Sequence, residues 1–113
     1  VYTITDDRIA SAILRAHGRG VAVRILSDVS RSSDPGSDVG RLAQAGIAVA
    51  VDDPTKFMHN KFAVFDQRVL VTGSYNWTRG AAEDNEENIV VSDDPRLVGP
   101  FVEEFARLWG RYA

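Results

Sequence analysis

Two short stretches of this sequence carry the side chains best suited to phosphate chemistry. His59 and Lys61 stand two residues apart at the start of a predicted strand, so both should point to the same side, about 7 Å apart along the chain. An ammonium can neutralise the nonbridging oxygens of a phosphodiester, and a neutral imidazole can attack phosphorus or move a proton near pH 7. On the next strand Gly73 would let the backbone approach a ligand closely, while Ser74 and Asn76 would donate hydrogen bonds to phosphate oxygens. The two strands together predict a phosphodiester site.

The elements that must position these side chains alternate between strand and helix. Predicted strands cover residues 1–4, 21–26, 47–51, 62–65, 69–72 and 87–92, and predicted helices cover residues 7–17, 39–45 and 95–112. A surface loop is expected over residues 27–37, a tight turn over 66–68, and a kink or restart of the last helix at Gly99-Pro100. This order predicts an α/β fold with a mixed β-sheet flanked by helices.

The spacing of the motif resembles that of a known family. His59-x-Lys61, four residues, Asp66, six residues and Gly73-Ser74-x-Asn76 resemble the signature of the phospholipase D-like superfamily, in particular its small single-motif bacterial nuclease and cardiolipin hydrolase-type members. Residues 85–88 resemble the family's downstream Glu-Asn element, and residues 8–24 resemble the helix and strand that precede the motif. Members usually have a further strand and helix before the position of residue 1. The resemblance therefore implies a single domain over residues 1–113 that is N-terminally incomplete.

The resemblance also implies a reaction. It is a metal-independent hydrolysis without any cofactor, in which one histidine attacks phosphorus to form a phosphohistidine and a second histidine protonates the leaving oxygen. The residues expected to act in catalysis are His59, Lys61, Ser74, Asn76 and Glu87. Glu87 is expected to accept a ring N–H of the histidine and so fix its tautomer. The residues expected to support the site are Asp66, Gly73 and Asn88.

A chain with one motif supplies only one of the two histidines. The other histidine, His17, lies at a predicted helix end with no lysine two residues on, and we interpret it as a solvated residue favoured at a helix C-terminus. By resemblance we therefore expect a homodimer that pairs two copies of His59 about a two-fold axis.

Several of these residues also have a purely structural interpretation. Asp66 could simply begin a hairpin turn, and Asn88 could satisfy buried backbone. Phe57, Tyr75 and Trp77 flank the motif; packing is favoured for them, and the alternative is a stacking wall for the bases of a single strand. Tyr75, Trp77 and Arg79 are the candidates for substrate binding, and Lys56 and Arg31 could extend a basic rim.

Composition limits the remaining possibilities. The net charge of −3 shows no global basic footprint, the chain has no cysteine, and no apolar run reaches the ~20 residues of a transmembrane segment. The acids Glu83, Asp84, Glu86 and Glu87 are interpreted mostly as a solvated loop, and no metal site is predicted. A nuclease is the first expectation. A phospholipase D or cardiolipin hydrolase and a non-catalytic dimerisation module are the alternatives. Localisation stays open between the bacterial cytoplasm and export, since no leader is visible.

Overall fold

Five helices and five strands build the fold, which a computed structural model describes for residues 1–113. In chain order they are α1 (Asp7–Gly18), β1 (Arg24–Ser27), α2 (Val29–Ser32), α3 (Val39–Gln44), β2 (Ala48–Val51), β3 (Phe62–Phe65), β4 (Val69–Gly73), α4 (Arg79–Glu83), β5 (Ile89–Ser92) and α5 (Pro95–Tyr112). β1 and β2 form a parallel pair, and β3, β4 and β5 form an antiparallel sheet in that order. The predicted α/β class with flanking helices is confirmed, and the parallel and antiparallel strands of the expected mixed sheet lie in two separate sheets.

The parallel pair packs against α1 and α3 through one apolar cluster. Its buried members are Ile4, Ala10, Ile25, Val39, Leu42 and Ile47. Asp6 begins α1, because its carboxylate accepts the backbone N–H of Arg8 at 2.9 Å. The cluster fixes the position of β1, and the chain that follows β1 reaches the candidate site.

The antiparallel sheet brings together the two stretches singled out in the sequence. Asp66 and Gln67 both have positive φ, 55° and 56°, which suits the two central residues of a tight hairpin turn between β3 and β4. The register pairs Phe62 with Thr72, so the segment before β3 lies beside the segment after β4. A second buried cluster consists of Leu26, Ala50, Met58 and Leu108. This cluster ties the chain just before β3 to α5 and to the parallel pair.

The structure differs from the sequence prediction in the region of β1. The expected surface loop over residues 27–37 contains the short helix α2, and both Ser27 and Asp28 are buried. Asp28 is the cap of that helix, which explains why a run of polar residues forms helix at this point. β1 begins at Arg24 instead of residue 21, because its pairing with β2 starts at Ala48.

α5 is one continuous helix through Pro100, so the predicted restart at Gly99-Pro100 is wrong. A proline removes only one backbone donor, and the helix is still held on the sheet, for example by Phe101 against Phe62 with ring centroids 5.0 Å apart. The acids expected in a solvated loop are all exposed, and only Glu83 among them belongs to the short helix α4. The hydroxyl of Thr78 caps α4 by accepting the backbone N–H of Ala81 at 2.9 Å.

Candidate active site

His59 and Lys61 lie side by side immediately before β3. Nζ of Lys61 is 3.1 Å from Nδ1 of His59 and donates to the carbonyl oxygen of His59 at 2.8 Å. The histidine is exposed and the lysine is partly buried. Burial lowers the pKa of Lys61, and the negative charge of Glu87 opposes that shift. An imidazole and an amine therefore converge on one accessible spot, as their spacing predicts.

Tyr2, which no sequence motif marks, forms one wall of this spot. Its ring centroid is 4.8 Å from that of His59, with an interplanar angle of 52°. Nζ of Lys61 lies 5.6 Å from the centroid of the same ring, within the range of a cation–π contact. The aromatic ring thus limits where both reactive side chains can move.

Asp28 anchors the backbone that carries His59. Its carboxylate is fully buried and accepts the backbone N–H of Met58 at 3.2 Å, that of Arg31 at 3.0 Å, and the hydroxyl of Ser30. Burial alone would raise the pKa of Asp28, but these hydrogen bonds outweigh it and hold the pKa below its ordinary value. Asp28 is therefore a buried carboxylate that links the turn after β1 to the residue preceding His59.

A sequence signal for this anchor exists, although the motif does not contain it. Asp28 and Asp52 each follow directly after a strand of the parallel pair. The carboxyl ends of parallel strands are where α/β folds usually place functional groups. Asp52 is buried too, and it accepts the backbone N–H of Val29 at 2.8 Å. The two aspartates thus order the turn on which the site rests.

The Ser74 hydroxyl is engaged within the chain. It donates to Oε1 of Glu87 at 3.2 Å and accepts the backbone N–H of Asn88 at 3.2 Å. Within the chain Glu87 makes no hydrogen bond to His59, whose ring lies beside Lys61 and Tyr2, so its predicted role in fixing the histidine tautomer stays a prediction. Asn88 contributes its backbone N–H and carbonyl, while its side chain is exposed.

Gly73 serves strand pairing and not the approach of a ligand. Its φ is 155°, and a Cβ at this position would lie 2.2 Å from the carbonyl oxygen of Asn88 and 2.9 Å from Cα of Ile89. Another part of the molecule therefore does approach Gly73 closely, as the sequence predicts, and that part is the backbone of Asn88 and Ile89. The glycine lets Ser74 come within hydrogen-bond distance of Asn88.

Asn76 has a polar atom with no partner in the chain. Its Oδ1 is buried and makes no hydrogen bond, while the residue as a whole is partly exposed. An amide oxygen without a partner is an uncommon arrangement in a folded protein. The structure leaves the predicted donation from Asn76 to phosphate as a prediction.

Asp66 lies at the opposite end of β3 from the site. Five residue steps lead from Lys61 to Asp66 through the four residues of β3, which corresponds to roughly 17 Å of extended chain. Its positive φ of 55° places it in the hairpin turn. The interpretation of Asp66 as a turn residue therefore agrees with the structure, and the expectation that Asp66 supports the site does not.

The three aromatic residues that flank the motif differ in their surroundings. Trp77 packs against the first apolar cluster and pairs through its backbone with Ile4, as the favoured packing interpretation predicts, and a substrate contact stays a prediction. Tyr75 is partly buried. Phe57 is 72% exposed and lies 6.5 Å from the Tyr2 ring, at the rim of the site.

The three cations of the predicted basic rim also separate. Arg79 lies in α4 and forms an ion pair with Glu83 at 3.1 Å. Its guanidinium is therefore already paired with a carboxylate and is not free to bind substrate. Lys56 is exposed close to Phe57 in sequence. Arg31 reaches the site, because its Nε donates to the hydroxyl of Tyr2 at 2.8 Å.

His17 lies at the far end of α1 and takes no part in the site. Its Nε2 is 3.1 Å from the carbonyl oxygen of Ala45, so it is not simply solvated but links the end of α1 to the end of α3. The chain therefore brings one histidine to the candidate site.

His59 is exposed and Lys61 partly buried, so the candidate site is accessible from the surface. Two hollows, of about 560 and 420 Å³, lie beside the hairpin turn and beside His17, and neither His59 nor Lys61 lines them. No three carboxylate or imidazole groups converge so as to hold a metal ion. None of the helices combines the length and the apolar character needed to cross a bilayer.

The sequence matches characterised proteins over nearly its whole length. Residues 1–109 match the family described as "Cardiolipin synthase, PLD-like domain". Over 112 residues the chain is 46% identical to the mitochondrial cardiolipin hydrolase of Chlamydomonas reinhardtii and 39% identical to that of Homo sapiens. These alignments cover 99% of this chain and 50% and 44% of the two relatives, so the chain spans about half the length of the curated relatives it matches.

Two solved structures have a similar fold. The crystal structure of a phospholipase D family member, Nuc from Salmonella typhimurium, gives a TM-score of 0.90 at 30% identity and covers 100% of this chain and 76% of that one. NucT from Helicobacter pylori gives a TM-score of 0.91 at 24% identity, with coverage of 100% and 77%. The likeness to NucT bears on the fold alone.

Proposed function

Because this chain belongs to the cardiolipin synthase-type, phospholipase D-like family, we propose that it hydrolyses the phosphodiester of an anionic phospholipid by attack of His59 on phosphorus. The observation that carries the proposal is the contact between His59 and Lys61, 3.1 Å apart on an accessible surface. An exposed imidazole beside a cation can approach a phosphodiester whose negative charge the cation neutralises.

The sequence analysis named nucleic acid as the first expected substrate and phospholipid as the alternative. We propose the opposite preference. The relatives at 46% and 39% identity bear the name mitochondrial cardiolipin hydrolase, which favours the lipid. Phe57, 72% exposed beside the site, offers an apolar contact that a lipid surface would cover. Nucleic acid is the second candidate, because Phe57 and Tyr2 could also stack against bases.

The proposed reaction has two steps, each conserving atoms and charge. The imidazole nitrogen of His59 forms a bond to phosphorus, and the bond from phosphorus to the alcohol oxygen breaks. The leaving oxygen takes a proton from an imidazolium. Water then attacks the phosphohistidine and gives its proton to that second imidazole, which releases the phosphomonoester and frees His59.

The resting geometry requires Lys61 to move in the first step. A charged Lys61 donates to Nδ1 of His59, which leaves the proton of a neutral ring on Nε2. Attack by Nε2 therefore requires Nδ1 to take the proton instead. We propose that Lys61 leaves Nδ1 for the oxygens of the phosphate when substrate binds.

The second imidazole comes, in this proposal, from another copy of the chain. His59 is the one histidine at the site, and His17 is bound to Ala45 elsewhere. A homodimer with His59 of each copy near a two-fold axis would supply both groups and would cover the open surface. A tagged His59→Asn chain mixed with wild type tests this. Mixed dimers should be inactive, whereas the full wild-type rate per wild-type chain in a mixed dimer, which is half of the rate per dimer, would contradict the shared site.

Hydrolysis of cardiolipin in vesicles tests the function directly. Vesicles of phosphatidylcholine with cardiolipin, in EDTA, should yield phosphatidic acid and phosphatidylglycerol, and ¹⁸O from labelled water should appear in the phosphatidic acid. His59→Asn should abolish the reaction, while the matched control His17→Asn should retain it. A faster cleavage of single-stranded DNA than of cardiolipin would favour the second candidate. No reaction on either substrate would refute the proposed activity.

A further inference from the structure

Arg31 occupies an unusual position beside the candidate site. Its guanidinium carbon lies 5.2 Å from the centroid of the Tyr2 ring, the same ring that contacts His59 at 4.8 Å and Lys61 at 5.6 Å. One aromatic side chain therefore carries two cations and the reactive imidazole. Lys61 contacts the histidine directly, and Arg31 is a second cation on the same ring.

The guanidinium is held in place and still has a free donor group. Nε donates to the hydroxyl of Tyr2 at 2.8 Å, and Nη1 donates to Oδ2 of Asp34 at 3.0 Å. Nη2 makes no hydrogen bond within the chain, and 46% of the side chain is exposed. A planar guanidinium fixed at two of its nitrogens is prepared to bind a phosphate through the third.

We propose that Arg31, oriented by Tyr2, binds a second phosphate of the substrate while the first is at His59. The inference rests on the proposed function and narrows its substrate class to lipids with two phosphodiesters, of which cardiolipin is one. The guanidinium carbon of Arg31 lies 5.2 Å and the His59 ring centroid 4.8 Å from the same Tyr2 centroid, so the two groups are no more than 10 Å apart. The two phosphates of cardiolipin are joined by a three-carbon glycerol bridge, which suits a separation of this order. Phosphatidylglycerol carries the same bridge with a single phosphate, so it offers a direct comparison.

The test compares two lipids in one protein. Vesicles of phosphatidylcholine carry either cardiolipin or phosphatidylglycerol, matched in total phosphodiester so that surface charge is equal. For Arg31→Gln, we expect the ratio of kcat/KM on cardiolipin to that on phosphatidylglycerol to fall about tenfold, the effect of one charge-assisted hydrogen bond. Arg41→Gln is the matched control, since Arg41 is also 46% exposed and faces an aspartate three residues away. This control should leave the ratio unchanged.

Two further variants distinguish binding of a phosphate from a structural role. Asp34→Asn removes a negative charge that competes with the phosphate, while its amide oxygen can still accept from Nη1, so the ratio should rise. Tyr2→Phe keeps the ring but removes the hydroxyl that holds Nε, so the ratio should fall in part. An equal loss on both lipids in Arg31→Gln would mean that Arg31 only supports Tyr2 and His59, and would overturn the inference.

Binding separates this inference from the proposed activity. In a His59→Asn background, flotation with the same vesicles should show a preference for cardiolipin that Arg31→Gln removes. If neither lipid is hydrolysed, the proposed function fails, and the binding preference still decides the role of Arg31. An unchanged preference in Arg31→Gln, or an effect of Arg31→Gln on oligonucleotide binding alone, would overturn the assignment to a lipid phosphate.

Discussion

Replacing Asp28 by asparagine should misplace His59 while leaving the rest of the fold nearly intact. One carboxylate oxygen of Asp28 accepts from Arg31 and Ser30, and the other accepts the backbone N–H of Met58 at 3.2 Å. An asparagine has one acceptor oxygen, which would stay with the two donors in α2. Its NH₂ group would then face the N–H of Met58, donor against donor. The variant thus breaks the hydrogen bond from the backbone N–H of Met58, the residue before His59, while leaving its packing in the second cluster.

The size of the effect follows from the burial of this bond. A hydrogen bond to a charged group contributes about 1.5–3 kcal/mol, and a buried N–H left without a partner costs a similar amount. The cap of α2 is retained, because asparagine is as good a cap as aspartate. We therefore expect Asp28→Asn to lower the free energy of unfolding by about 2–3 kcal/mol. That loss corresponds to a fall in Tm of roughly 6–12 °C.

The assay measures stability and turnover separately. Urea unfolding gives the free energy, and kcat is measured well below Tm, where the variant is folded. We expect kcat to fall by about tenfold or more with KM little changed, because a shift of about 1 Å in a reacting group is costly. The matched control is Asp94→Asn, which removes the carboxylate from the cap of α5, away from the site. Wild-type kcat in Asp28→Asn, or an equal loss of kcat in Asp94→Asn, would refute the anchoring role.

Three other predictions test the surroundings of the site and the fold. Gly73→Ala should lower the free energy of unfolding by at least about 2 kcal/mol in urea, because the added Cβ meets the carbonyl of Asn88 at 2.2 Å; a neutral result would contradict the close pairing of β4 with β5. Glu87→Gln removes a charge that raises the pKa of Lys61, so that pKa should fall and the alkaline limb of kcat/KM should move to lower pH, whereas a fixed limb would show that Lys61 does not titrate in it. The pKa of Asp6 is lowered from 3.8 to about 2, mainly because the side chain of Arg8 donates a hydrogen bond to its carboxylate. The contribution of Asp6 to stability is therefore complete above pH 3.8 and is lost as the pH falls through about 2. Asp6→Asn should therefore be less stable than wild type at pH 5, with a difference that shrinks toward pH 2 in acid unfolding curves, and a constant difference would contradict the shift.

The parts of this protein that could be predicted from its sequence are those encoded by local patterns. The hairpin was evident because two apolar runs flank a short polar turn, and its register then places the chain before β3 beside the chain after β4. The spacing of His59 and Lys61 along an extended segment likewise predicts that they share one side, which the 3.1 Å contact confirms. The role of Gly73 was only half predicted. A glycine signals a close approach, but the sequence cannot say whether a ligand or a neighbouring strand approaches.

What could not be predicted depends on contacts between distant parts of the chain. Tyr2 acquires its place beside His59 only because its segment pairs with the backbone at Trp77, and no pattern in residues 1–4 encodes that pairing. Asp28 looked like one polar residue among many in a loop, yet burial in a fold turns a capping carboxylate into the anchor of a segment thirty residues later. Both residues constrain the imidazole without belonging to the motif. The motif therefore specifies which groups react, whereas residues outside it determine how the reacting ring is held. A copy of the motif on a scaffold without Tyr2 and Asp28 would contain the reacting imidazole and amine, but nothing would hold the imidazole ring in its position.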